Sequence, residues 1–156
     1  MNKLFSKVST FDIAIALAIA IFFAADRILK IWALNSLMMS PVRLIGNLLS
    51  FDFTANHYIA FSLPLSGPLL NAAILGILVL LTIIIIFLAL SAQPRRFEIS
   101  FLACILLGAI SNFFDRISYG YVIDYLDLQY FTVFNLADIM ISGGALALII
   151  KFVRNK

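Results

Sequence analysis

The sequence is poor in the residues from which many catalytic and structural centres are built. Its 156 residues include a single cysteine, Cys104, and a single histidine, His57. One cysteine excludes an intrachain disulfide framework and a zinc site with several thiolate ligands, and one histidine speaks against a multi-histidine metal site. Cys104 lies within an apolar run, and we interpret it as a small core residue.

Charge is also scarce. Charged residues make up 12% of the chain and hydrophobic residues 63%, with a mean hydropathy of +1.09. A water-soluble globule of this size could not bury so much apolar side chain, and the same composition excludes disorder. The length fits one domain, residues 1–156. The net charge of +3 does not indicate nucleic acid as a partner, because the basic residues are scattered and membrane topology accounts for them better.

Apolar runs divide the chain into four predicted membrane-spanning helices. About 20 apolar residues cross a bilayer as a helix, and the run from Leu69 to Leu90 contains no charged residue. The first run, Ile13 to Ala25, is too short by itself, but Asp26 and Lys30 stand four residues apart and can pair on one helix face. With that pair accepted, the predicted helices cover roughly 11–35, 68–91, 97–115 and 131–153.

The basic residues predict the orientation in the membrane, because positive residues near span ends favour the cytoplasmic side. Seven of the eleven lie at the chain ends or between the second and third spans: Lys3, Lys7, Arg95, Arg96, Lys151, Arg154 and Lys156. Both termini are therefore expected in the cytoplasm, with segments 36–66 and 115–130 on the outer side.

A strand-like pattern marks the first outer segment. Leu49, Phe51 and Phe53 alternate with polar residues, which is the period of a β-strand, and Gly46-Asn47 favours a turn just before them. We expect a small β element over roughly 42–63 that rests on the outer membrane surface. The predicted fold class is therefore a mainly α membrane protein, with four transmembrane helices and a small extracytoplasmic β element.

Acidic residues are concentrated near the predicted outer face, where six of the eight fall: Asp26, Asp52, Asp115, Asp124, Asp127 and Asp138. Asp138 is placed about two turns into the fourth span, where an ionisable residue is costly and normally faces the bundle interior or water. Asn135 precedes it by one turn on a similar face. Asn112, Asp115 and Arg116 end the third span at the same level. This convergence favours a functional site over an aspartate buried and paired only for packing.

Two aspartates at close range suit a defined kind of chemistry. Both cannot easily ionise, so one pKa is raised and the other lowered. A pair that shares a proton can activate a water and protonate a leaving amine, as in aspartic peptidases. A serine–lysine pair of Ser111 with Lys30 is an alternative, although nothing in the spacing recommends it.

The pair of Asp26 and Lys30 has two interpretations. As a structural pair, the two charges neutralise one another within a helix, which is the interpretation we favour. Alternatively, Lys30 or Arg27 holds part of an anionic head group of a substrate.

With the aspartates placed, five blocks of the sequence resemble motifs of the lipoprotein signal peptidase (signal peptidase II) family. The blocks are Asp26-Arg-Ile-Leu-Lys30 for D-x-x-x-K, Asn56-His-Tyr-Ile-Ala-Phe-Ser62 for N-x-G-x-A-F-S, Leu107-Gly-Ala-Ile-Ser-Asn-Phe-Phe-Asp-Arg116 for G-G-x-x-G-N-x-x-D-R, Val122-Ile-Asp-Tyr125 for V-V-D-F, and Phe134-Asn-Leu-Ala-Asp138 for F-N-x-A-D. Each block alone is weakly specific, but five in order with four helices are a strong signal.

The departures from these motifs concern glycines. Tyr58, Leu107 and Ser111 stand where the family has glycine. Glycine permits a close backbone approach or a positive φ, so these positions bear on the loop shape and on the width of the substrate groove. No acidic, amide or basic residue of the blocks is lost.

The resemblance implies an intramembrane aspartic endopeptidase with Asp124 and Asp138 as the catalytic pair. Its implied substrate is a bacterial prolipoprotein whose cysteine already carries diacylglycerol, cleaved just before that cysteine, and its surroundings are the lipids of the bacterial cytoplasmic (inner) membrane. The implied active site lies near the outer face, and the family requires neither cofactor nor metal. The other residues carried over by position support the site or bind substrate: Asn56, Asn112, Asp115, Arg116, Asn135, Asp26 and Lys30.

The resemblance also assigns these residues separate roles. Asn112 and Asn135 would hold the catalytic carboxylates or the scissile carbonyl. Asp115 and Arg116 would brace the site by a local ion pair. Asn56 would help to bind the substrate backbone.

Two other classes of protein compete with a peptidase. A small proton-coupled transport protein also uses intramembrane aspartates, but its path needs polar groups along its whole length, and the cytoplasmic halves of the second and fourth spans are apolar. A structural or assembly subunit would not need six aspartates near the outer face. An inactive relative is disfavoured because the blocks keep all their acidic, amide and basic residues.

Overall fold

The chain folds into four long helices and one four-stranded sheet in the part that the computed structural model describes, residues 9–37, 40–57 and 67–155. The helices are α1 (Thr10–Trp32), α2 (Pro68–Leu90), α3 (Arg96–Tyr119) and α4 (Leu136–Arg154). The strands are β1 (Val42–Ile45), β2 (Leu49–Asn56), β3 (Val122–Leu128) and β4 (Val133–Phe134). The predicted fold class is confirmed.

Three of the four helices, α2, α3 and α4, are long and apolar enough to cross a membrane. α1 carries more charge but has 23 residues, about 34 Å at 1.5 Å per residue, and continues into a π-helical segment, Ala33–Leu37. Two of its four charged residues, Asp26 and Lys30, are fully buried, so they face the bundle and not the surrounding apolar phase. The first helix can therefore span a bilayer despite its charges.

The start of the fourth helix differs from the prediction. We expected a span from about 131, but α4 begins at Leu136, because Asn135 caps it and the two residues before Asn135 form β4. Asp138 consequently lies in the first turn of α4 and not two turns into it. The capping box that sets this start joins the Asn135 side chain to the backbone of Asp138, and the Asp138 side chain to the backbone of Asn135.

The sheet is antiparallel with the strand order β1-β2-β3-β4. Strands β1 and β2 lie within the predicted β element of 42–63, whose residues 58–63 fall outside the described ranges. Strands β3 and β4 were not predicted. In the pairing of β2 with β3, Thr54 lies opposite Asp124 and Asn56 opposite Val122, which brings the end of β2 beside the aspartate.

The sheet packs on the end of α1 through a small apolar core. Ala33 and Leu37 of the π-helical segment contact Ile123 and Tyr125 of β3, and all four are buried. Before β3, α3 ends at Tyr119. The next residue, Gly120, has a φ of 82°, a left-handed conformation that L side chains rarely adopt. Asp124 is thus fixed between two anchored core residues.

Helices α3 and α4 approach closely at Gly108. A Cβ atom placed there would lie 2.6 Å from the Ala137 carbonyl oxygen and 3.2 Å from the Met140 Cβ atom. Gly108 is one helical turn before Asn112. The glycine therefore sets the distance between α3 and the first turn of α4.

We expect Gly108→Ala to destabilise the protein by about 1–3 kcal/mol, because the added methyl group would meet backbone and force the two helices apart. Activity should fall with stability, since the same turn of α4 carries Asp138. The matched control is Gly143→Ala, because a Cβ atom at Gly143 meets nothing within 4 Å. Thermal unfolding in detergent checks both variants, and equal midpoints for the two would show that the close approach is unimportant.

Candidate active site

Asp138 is held at the start of α4 by its own cap. The Asn135 side-chain oxygen accepts the backbone N–H of Asp138 at 2.9 Å, and Oδ2 of Asp138 accepts the backbone N–H of Asn135 at 3.3 Å. Its other oxygen, Oδ1, accepts the side-chain amide of Asn112 at 2.8 Å. The Asp138 carboxylate is therefore oriented by α3 as well as by the helix start.

Asp124, on β3, is 1% exposed and accepts two amide hydrogen bonds. Nδ2 of Asn56 donates to Oδ2 at 2.8 Å, and Nδ2 of Asn135 donates to Oδ1 at 2.6 Å. Asn135 thus binds the Asp124 carboxylate with its amide nitrogen and the Asp138 backbone with its amide oxygen. One asparagine joins the two aspartates.

Asn112, the third asparagine, links the site of the two aspartates to Lys30 of α1. Oδ1 of Asn112 accepts from Nζ of Lys30 at 2.7 Å and from Nδ2 of Asn135 at 3.2 Å. Three asparagines therefore surround the two aspartates. The structure brings together Asn56, Asn112, Asp124, Asn135 and Asp138, all of which the sequence had selected.

The surroundings of Asp124 favour its protonated form. Burial, followed by the nearby carboxylate of Asp138, raises the pKa of Asp124 to about 7, and the hydrogen bonds from Asn56 and Asn135 oppose this rise only in part. Asp124 can therefore hold a proton near neutral pH. A carboxyl group that can hold a proton near a second carboxylate is suited to general acid–base catalysis.

A fully buried ion-pair cluster adjoins Asn112. Nζ of Lys30 is 3.3 Å from Oδ2 of Asp26 and 2.7 Å from Oδ2 of Asp115, and the side chains of all three residues are inaccessible to solvent. Nζ of Lys30 is also 3.5 Å from the Ser111 hydroxyl, but that hydroxyl donates to Asp26 at 2.5 Å. The geometry favours a structural role for Lys30 over contact with a substrate head group or activation of a serine.

Asp115 binds two cations of α1, and its ion pair with Arg116 stays a prediction. Oδ1 of Asp115 also lies 2.6 Å from Nη1 of Arg27, so Asp115 ties α3 to α1 through two cations. Arg116 is within electrostatic range of Asp124, Asp138 and Asp115. Asp115 therefore braces α3 against α1, and Arg116 is a positive charge near the two aspartates.

Two residues that contact this cluster had no structural role in the sequence interpretation. Arg27 had been considered only as a possible contact of a substrate head group, but it binds Asp115 and the carbonyl and hydroxyl oxygens of Ser111. Tyr125 had appeared only as a motif letter, but its hydroxyl donates to Asp26 at 3.0 Å. In the sequence, the excess of carboxylates over cations near the predicted outer face was the signal that could have indicated these contacts.

Two further residues were named from the sequence, Tyr58 and His57. Tyr58, which replaces a family glycine, lies outside the described residues. The ring of His57 packs 5.3 Å from that of Tyr121. Within residues 9–37, 40–57 and 67–155, no group of three or more histidine, cysteine or acidic side chains lies together as a metal site would.

The fold and its apolar helices define an integral membrane protein, and comparisons with known proteins place it more closely. A family model described as "Signal peptidase (SPase) II" matches residues 18–154. A lipoprotein signal peptidase of Caldicellulosiruptor bescii is 37% identical over 126 residues, 81% of each chain. One of Dichelobacter nodosus is 37% identical over 136 residues, 82% of this chain and 86% of the relative. The chain belongs to the signal peptidase II family and is a protease.

A solved structure shows that the fold agrees as well. A bacterial membrane enzyme determined at 2.3 Å resolution superposes with a TM-score of 0.77, covering 91% of this chain and 88% of that chain at 20% identity. At that identity the likeness concerns the fold.

Proposed function

We propose that this protease is an aspartic endopeptidase that removes the signal peptide from diacylglyceryl-modified bacterial prolipoproteins and cleaves before the lipidated cysteine. The observation that carries the aspartic mechanism is that Asp124 and Asp138 lie within one asparagine cage. This cage is formed by the side-chain amides of Asn56, Asn112 and Asn135. The substrate class follows from membership of the family. A signal-peptide helix and two acyl chains are lipid-soluble, so the enzyme must meet them in the membrane.

In the proposed mechanism, Asp138 is the base and Asp124 the acid. The ionised Asp138 carboxylate takes a proton from a water as the water oxygen attacks the scissile carbonyl carbon. Asp124 gives its proton to the carbonyl oxygen, which forms a neutral tetrahedral diol. Collapse of the diol breaks the C–N bond, the leaving amine takes the proton from Asp138, and the diol hydroxyl returns a proton to Asp124.

The asparagines and Arg116 support the reaction without exchanging protons. Asn135 fixes both carboxylates, and Asn112 fixes Oδ1 of Asp138. Asn56 contacts Asp124 from β2, so its amide is placed where substrate backbone could compete for it. Arg116 supplies positive charge near the pair, which would stabilise the second carboxylate when both are ionised. Such preorganised groups lower the barrier because they need not reorganise during the reaction.

The pH dependence of kcat/KM tests the acid. Because Asp124 must be protonated and its pKa is about 7, we expect kcat/KM to fall as the pH rises above about 7. Asn56→Ala removes a hydrogen bond that favours the ionised form of Asp124, so it should move this alkaline limb to higher pH. Activity that stays constant well above pH 8, in enzyme shown to remain folded, would contradict Asp124 as the acid.

We infer that both termini lie in the cytoplasm and the active site near the outer face of a bacterial inner membrane. The excess of basic residues at the chain ends and between α2 and α3 supports this orientation. The site residues agree with it, because they lie where α1 and α3 end and where α4 begins. Reporter fusions within Gln93–Arg96 should read cytoplasmic, and an extracytoplasmic signal there would overturn the orientation.

A further inference from the structure

Two backbone N–H groups in the first turn of α4 are bound by side chains from other elements. The N–H of Leu136 donates to the Tyr125 hydroxyl at 3.1 Å. The N–H of Ala137 donates to Oδ1 of Asp26 at 3.1 Å. The first N–H groups of a helix have no partner inside it, so these bonds attach the first turn of α4 to β3 and α1. The next residue along the turn is Asp138.

The Asp26 carboxylate binds donor groups from four elements. Besides the α4 backbone, Oδ1 accepts the Tyr125 hydroxyl at 3.0 Å, from β3. Oδ2 accepts the Ser111 hydroxyl at 2.5 Å, from α3, and pairs with Lys30 of α1 at 3.3 Å. Asp26, Lys30, Ser111 and Tyr125 are all fully buried. In such surroundings each hydrogen bond is strong and each missing partner is costly.

The Tyr125 hydroxyl has two functions at once, since it donates to Asp26 and accepts from Leu136. Its ring belongs to the apolar core with Ile123, and it follows Asp124 directly in the chain. Burial and the neighbouring Asp26 carboxylate raise the pKa of Tyr125 above its usual range, so the phenol keeps the proton that it donates. Tyr125 therefore connects the strand of one proposed catalytic aspartate to the helix of the other.

We propose that Tyr125 and Ser111 are positioning residues for the reaction. Their hydroxyls hold Asp26 against the first turn of α4 and thereby set the position of Asp138 relative to Asp124. This inference rests on the proposed function.

The test is steady-state cleavage of a diacylglyceryl prolipoprotein by Tyr125→Phe, Ser111→Ala and the double variant. Tyr125→Phe keeps the ring and removes only the hydroxyl. Per folded enzyme, we expect kcat to fall about fivefold, the equivalent of one buried hydrogen bond, with KM within about twofold of the parent. Because both hydroxyls act through Asp26, the loss in the double variant should be smaller than the product of the two single losses.

Tyr119→Phe is the matched control, since Tyr119 is 42% exposed, and its kcat should equal that of the parent. An unchanged kcat for Tyr125→Phe, a loss confined to KM or to the folded fraction, or multiplicative single losses would each overturn the positioning role. If Tyr125→Phe does not fold, Ser111→Ala decides the question through the other oxygen of Asp26. Asp124→Asn is assayed beside them: turnover by that variant would refute the proposed function, whereas its inactivity with a normal Tyr125→Phe refutes only the positioning role.

Discussion

Asp124→Asn and Asp138→Asn should each abolish prolipoprotein cleavage while the protein remains folded in the membrane. An amide can neither take nor return a proton, and the two carboxylates act as one unit, so losing either should cost about 10³-fold or more in kcat. Each substitution keeps the shape of the side chain. It also removes a buried carboxylate from a close pair, so we expect little loss of stability.

Asp127→Asn is the control for this prediction. Asp127 lies on the same strand as Asp124, opposite Ser50 and Val133, and outside the asparagine cage. Its substitution should leave turnover close to that of the parent. Near-normal turnover by both Asp124→Asn and Asp138→Asn would exclude the aspartic mechanism.

The second large effect is expected for Lys30→Ala, which should sharply reduce the folded yield. The substitution removes the cation that lies between Asp26 and Asp115. Breaking a buried ion pair by deleting one partner costs about 3–5 kcal/mol, because the remaining charge is left without compensation. Asp115 still has Arg27, so Asp26 is the residue that loses most. Detergent-extracted yield and thermal unfolding measure the effect.

Lys151→Ala is the matched control, because Lys151 pairs with Glu98 at a partly exposed site, where an ion pair contributes about 1 kcal/mol or less. Combining Asp26→Asn with Lys30→Gln removes the uncompensated charge and should restore much of the yield. A normal yield and a normal midpoint of thermal unfolding for Lys30→Ala would refute the structural role. They would favour the alternative, in which Lys30 binds an anionic head group of the substrate.

The helices could be predicted from the sequence because a bilayer demands long apolar runs, and these are counted directly. The start of α4 could not be placed in that way, since Val133 and Phe134 of β4 are as apolar as the helix that follows. The spacing of Asn135 and Asp138 was the usable signal, because it is that of a helix cap. The capping pattern is more informative than hydropathy at this point.

The members of the site were predictable, but most of their pairings were not. Motif blocks identified Asn56, Asn112 and Asn135, and their amides do meet the two aspartates. The bond between Arg27 and Asp115 joins residues 88 positions apart, which no local pattern reveals. The pairing of β2 with β3, which brings Asn56 beside Asp124, likewise depends on tertiary packing.

The most direct measurement is product analysis by mass spectrometry. Purified parent, Asp124→Asn and Asp138→Asn proteins are incubated in lipid with a diacylglyceryl-modified prolipoprotein and with its unmodified form. We predict one cut by the parent, immediately before the lipid-bearing cysteine and only in the modified substrate, and no product from either variant. A correctly cut product from both folded variants would contradict catalysis by Asp124 and Asp138, and cleavage at another bond would contradict the proposed substrate.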